Sequence, residues 1–178
     1  MIAMTQDSSG REYCESCSFD WATIDPNEVT PRVNRAVGEF ATLLQSNPAG
    51  AIVRPERSRW SAVEYGAHLR DVLFNVRDRL ILMVVEDTPS PDPIYRDQRV
   101  DLMLYADETP AVVASDLETA ARLFTTTFDR LRADYIDRTL IYSKFMPGPR
   151  TFGWVGAQVL HECEHHRDDA RANLAAKK

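Results

Sequence analysis

Apolar residues recur along the chain at three- and four-residue steps in four separate stretches, the spacing of a helix face turned toward a core. The first stretch holds Val29, Val33, Val37, Phe40, Leu43 and Leu44. Asp25-Pro26 opens it, a capping carboxylate followed by proline at the first helical position, and Asn47-Pro48-Ala49-Gly50 ends it. The second begins at Ser61-Ala62-Val63-Glu64, a capping box in which the serine hydroxyl takes an orphan backbone N–H and the glutamate reaches back. It carries Leu69, Val72, Leu73, Val76 and Leu80 and runs to about Glu86. The third starts at Thr109-Pro110 and places Val113, Leu117, Ala120, Ala121, Phe124, Phe128 and Leu131 on one face as far as about Arg132. Thr151 caps the fourth, which reaches about Ala175. On it Trp154, Gln158, His161, His165 and Asp168 follow one side, with Val155, Val159 and Cys163 on a neighbouring one.

The connections are less regular. Residues 1–12 are polar and read as flexible. Residues 87–109 contain Pro89, Pro91 and Pro93 among many aspartates, and read as a long crossover loop with little regular structure. Residues 134–150 alternate enough to predict a short extended excursion, turned by Pro147-Gly148-Pro149. Four helices with one long connection between the second and third predict an all-α four-helix bundle over residues 26–178, preceded by an N-terminal segment over 1–25.

Composition narrows the function classes. With 178 residues, 44% hydrophobic and 27% charged, the chain is expected to form one ordinary globular domain. A net charge of −6 with no basic stripe argues against general affinity for nucleic acid or an anionic membrane. The start, MIAMTQDSSGREY, lacks the apolar run of a secretory signal, and LILMVV at 80–85 is too short to span a bilayer. A cytoplasmic location is therefore the expectation. Three cysteines, Cys14, Cys17 and Cys163, fit a reducing compartment better than a disulfide framework.

The candidate chemistry gathers at HECEHHRDD, residues 161–169. His161 and His165 are four residues apart, so both imidazoles leave one helix face one turn apart, which is how a helix offers two nitrogens to a divalent metal. His68, in WSAVEYGAHLRDV on the second helix, is a third candidate ligand. Glu64, Asp71, Glu162, Glu164, Asp168 and Asp169 are near enough to hold the far nitrogens of such histidines, and Asp168 has the best spacing from His165. The alternative is a solvated pair of histidines beside a structural one. Near the N-terminus, Cys14 and Cys17 in YCESCSFDW leave three readings open: half of a zinc site completed by other residues, a redox pair, or an aromatic cap with two bystander thiols.

W-S-x-x-E-Y-x-x-H-L-R-D-V at Trp60 to Val72, paired with L-H-x-x-x-H-H at Leu160 to His166, resembles the DinB-like superfamily. That superfamily includes metal-dependent thiol transferases and, more distantly, mycothiol-dependent maleylpyruvate isomerases. The order of segments over about 26–175 fits the resemblance. The leading C-x-x-C-S-F-D-W is similar to an N-terminal knuckle of actinobacterial members, in which glycine more usually stands where Ser18 does here. Carried over, the resemblance implies a metal site at His68, His161 and His165, with His166 as an extra histidine of open role. It implies a divalent metal, zinc before nickel, manganese or iron, that activates a low-molecular-weight thiol such as mycothiol toward a small electrophilic substrate. Residues 87–109 and 134–150 would shape the pocket, and Arg70, Arg77, Arg96 and Arg99 are candidates for an anionic part of the substrate. No second catalytic residue stands out. Metal-dependent hydrolysis and a non-enzymatic metal- or redox-responsive role are the competing expectations, and a homodimer is expected because such bundles pair helix faces.

Overall fold

The computed structural model describes residues 4–6, 12–144 and 146–175. Four long helices form the bundle: α1 over Pro26–Ser46, α3 over Ala62–Val85, α5 over Pro110–Tyr135 and α6 over Phe152–Ala175. Two short helices lie between them, α2 over Pro48–Ala51 and α4 over Arg96–Asp101. The expected start signals are all used. Asp25 accepts from the Asn27 N–H, Ser61 and Glu64 close the capping box on α3, and Thr109 accepts from the Val112 N–H.

α1 and α3 each pack along both α5 and α6, whereas the pairs α1–α3 and α5–α6 barely touch. Consecutive long helices therefore stand across a diagonal at two of the three steps. The core between them is filled by Phe40, Phe124, Phe128 and Phe152 with Leu44, Leu69, Leu73 and Leu117, all fully buried. Burial of each such side chain stabilises by about 1.5–3 kcal/mol. Gly156 permits a close approach: a Cβ there would collide with the Phe128 ring.

The connections hold more order than their sequences predict. Residues 87–109 include α4 and are tied to α3 by Arg79, while Arg138 closes the end of α3 just before them. Buried Arg79 donates to the Tyr142 carbonyl at 3.0 Å and the Asp92 carbonyl at 2.6 Å. Arg138 donates to the Met83 carbonyl at 2.6 Å and to that of Glu86, satisfying the free end of α3. The excursion before α6 is an antiparallel hairpin of β3, Thr139–Ser143, and β4, Met146–Thr151, with a bulge between Ile141 and Ser143. In the segment expected to be flexible, β1 (Met4–Gln6) pairs antiparallel with β2 (Glu12–Cys14), Met4 opposite Cys14; residues 1–3 and 7–11 lie outside the described residues. Among the described residues no helix is long and apolar enough to cross a membrane.

α6 departs from an ordinary amphipathic helix. It buries Gln158, His161, Glu162, His166 and Asn173 together with its apolar residues. Buried polar groups need partners, and those of α6 define the site.

Candidate metal centre

Successive residues on an α-helix point about 100° apart, so the pairs 161/165 and 162/166 form two adjacent strips along α6. The bundle gives them different neighbours. His161 faces the N-terminal segment, its ring 5.0 Å from Phe19 and 4.7 Å from Trp21. His166 faces α3, its ring 5.3 Å from His68 and stacked 5.0 Å from Tyr65.

Three groups of potential ligands result among the described residues, of which His165, His166 and Asp169 form one, and the other two draw on different strips of α6. The donor atoms of His68, Glu162 and His166 lie within 4.8 Å of one another, and all three residues are buried. Those of Cys14, Cys17, His161 and His165 form a second group within the same limit. The set expected from the sequence, His68 with His161 and His165, is divided between the two, because α6 presents a different strip to α3 than to the N-terminal knuckle.

In the His68–Glu162–His166 cluster the donor atoms approach one another outside hydrogen-bond geometry. Glu162 Oε2 is 3.2 Å from His166 Nε2 and 3.9 Å from His68 Nε2. Yet Glu162 Oε2 and His166 Nε2 are both buried with no hydrogen-bond partner. A buried carboxylate oxygen and imidazole nitrogens close together and without hydrogen-bond partners are a donor set a cation can satisfy. The surroundings fix their orientation. His166 Nδ1 meets Asp169 Oδ2 at 3.1 Å. Glu162 Oε1 accepts from Gln158 Nε2 at 2.8 Å, and Gln158 Oε1 accepts from the Trp21 indole at 2.8 Å.

Charge follows the same plan. Burial would raise the Glu162 carboxyl, but the His166 and His68 imidazoles hold it well below the usual range, so it stands as a carboxylate. Burial lowers His68 and takes His161 down to about 4, leaving both as neutral lone-pair donors. Burial also pulls His166 down, but Asp169 and Glu162 more than offset it.

The other sequence candidates are placed elsewhere. Glu64 is occupied by the α3 cap and an ion pair with Arg54. Asp71 accepts from Arg99 at 2.7 Å and from the Tyr105 hydroxyl at 2.9 Å, anchoring the 87–109 segment. Asp168 is half exposed and pairs with Arg167 and Arg171; Asp169, the next residue, backs the histidine instead. Arg70 is bound to Asp71 and Glu108, and Arg77 to Asp78. Arg96 lines a cavity of about 340 Å³ with Trp60, Tyr65, His165, His166 and Asp169. His165 and His166 are the histidines that line it.

A sequence model of the DinB superfamily matches residues 33–170, most of the chain. The solved structure of YfiT from Bacillus subtilis, described as a probable metal-dependent hydrolase with an unusual four-helix bundle topology, superposes with a TM-score of 0.72. It does so over 85% of this chain and 88% of its own at 16% identity, a likeness of fold. No curated protein matches the sequence.

Proposed function

The chain belongs to the DinB superfamily, and from that premise we propose that it is a metal-dependent enzyme whose divalent cation is held by His68, Glu162 and His166. The observation that carries this reading is the buried pair Glu162 Oε2 and His166 Nε2, 3.2 Å apart and outside hydrogen-bond geometry. Two imidazoles and a carboxylate leave positions free for an exogenous ligand, the pattern of catalytic zinc sites, and zinc is preferred over nickel, manganese or iron. Such a cation acts as a Lewis acid and lowers the pKa of a bound water or thiol.

The chain's own residues supply the rest. Asp169 keeps the His166 Nε2 lone pair directed inward by holding Nδ1. Gln158 fixes the rotation of the Glu162 carboxylate. Trp60 and Tyr65 wall the cavity, and Arg96 at its rim receives an anionic group of a small substrate.

The nucleophile is a low-molecular-weight thiol such as mycothiol, in a transferase or isomerase reaction, as the sequence resemblance suggests. Hydrolysis by water is the second reading, favoured by the fold shared with YfiT. The free thiols Cys14, Cys17 and Cys163 suit a reducing cytoplasm. The exposed Phe74, Ile81 and Val85 along α3 offer a face for a homodimer.

Elemental analysis of the unmodified protein and of the double variant His68→Ala, His166→Ala tests the site. The variant should lose one equivalent of metal per chain, together with turnover of a thiol–electrophile pair or of an ester. Equal metal content in both proteins would overturn the assignment.

A further inference from the structure

We propose that Cys14, Cys17, His161 and His165 form a separate, closed four-ligand zinc site that fastens the N-terminal knuckle to α6. Their order in the chain, two cysteines separated by two residues and two histidines separated by three, is the ligand spacing of structural zinc sites. The fold brings the two pairs together across the sequence: all four donor atoms lie within 4.8 Å of one another. Cys14 Sγ is 3.8 Å from His165 Nδ1. A tetrahedral zinc with bonds of about 2.3 Å to sulfur and about 2.0–2.1 Å to nitrogen sets that edge at about 3.6 Å.

Two further observations point to an ion. His161 is wholly buried, and neither of its ring nitrogens has a partner. Against Phe19 and Trp21 an apolar side chain would be the cheaper occupant, since an unpaired buried polar group costs about 1–3 kcal/mol. The knuckle backbone is also folded around the thiols. The Ser18 N–H donates to the Cys14 carbonyl at 2.7 Å, and the Cys14 N–H donates to the Phe19 carbonyl at 2.8 Å. Four protein ligands leave no open position, so the site is structural. Its consequence reaches the other cluster, because it seats Trp21, whose indole N–H holds Gln158 and through it Glu162.

Cobalt substitution tests the proposal apart from any activity. The Co(II) protein should show tetrahedral d–d bands with thiolate-to-cobalt charge transfer. The charge transfer should disappear in the double variant Cys14→Ser, Cys17→Ser and persist in His68→Ala, His166→Ala, so failure of the catalytic assignment does not touch it. Absence of charge transfer from the folded unmodified protein overturns the site. Should the serine variant not fold, X-ray absorption on the His68→Ala, His166→Ala protein loaded with one equivalent of zinc decides. Two sulfur and two nitrogen neighbours support the site, and a sulfur-free shell overturns it.

Discussion

His165 and His166 are consecutive in the chain, yet their rings meet at 87° with centroids 5.5 Å apart; His165 groups with Cys14, Cys17 and His161, His166 with His68 and Glu162, and the two meet only around Asp169. The turn of one residue along α6 is what separates a knuckle-facing strip from one facing α3. Asp169 stands behind both, 3.1 Å from His166 Nδ1 and 3.6 Å from His165 Nε2. One helix thereby presents two donor sets that share a backing carboxylate.

Replacing that carboxylate should weaken metal binding without unfolding the bundle. Asp169→Asn is expected to lower metal affinity about 10–100-fold, the usual cost of losing a group that orients a ligand histidine. Competition against a chelator of known affinity measures it. An affinity unchanged in the variant would mean that His166 is oriented by something else.

Gln158 links Trp21 to Glu162 by two buried hydrogen bonds. In Gln158→Leu the indole N–H and Glu162 Oε1 lose their partners, with an expected loss of about 1–3 kcal/mol in denaturant unfolding. Metal affinity should fall at the same time. A change in stability with metal affinity intact would confine Gln158 to packing.

Ser18 sits at φ +59, in the left-handed region that favours glycine. Ser18→Gly should relieve that strain and stabilise the knuckle by up to about 1 kcal/mol. Thermal unfolding reads the gain as a raised midpoint. A lowered midpoint would show that the serine hydroxyl contributes more than the backbone strain costs.

Acid stability should depend in part on Glu64. Burial would raise its carboxyl, but hydrogen bonds from Arg54 and Ser61 outweigh that and hold it below the ordinary value of 4.5. A carboxylate depressed in the folded state contributes stability above its unfolded pKa and loses it as pH falls through the folded value. Glu64→Gln should therefore destabilise at pH 7, and the gap from the unmodified protein should shrink as pH drops below that ordinary value. Urea unfolding across that range checks it, and a gap independent of pH would contradict the assignment.

Much of this was legible in the sequence because it is local. Asp25-Pro26, Ser61 with Glu64 and Thr109-Pro110 act within one turn, and they start the helices where expected. His161 and His165 were legible as a pair for the same reason. Their companions were not, because which strip of α6 meets α3 is decided by packing between elements far apart in the chain. Glu162 and His166 are themselves metal-ligand types at helical spacing, a signal masked by the more familiar histidine pair one residue earlier. Asp71 reads as a neighbour of His68 until Arg99 and Tyr105 arrive from the next segment. α4 escaped notice because it has no capping signature: Tyr95 precedes it at φ +52 with no side-chain cap.

Anomalous diffraction at the zinc edge, from crystals of the unmodified protein grown with zinc, tests the central claim most directly. A peak bounded by His68, Glu162 and His166 is the predicted result. A peak bounded by His68, His161 and His165, with Glu162 outside the coordination sphere, would contradict it.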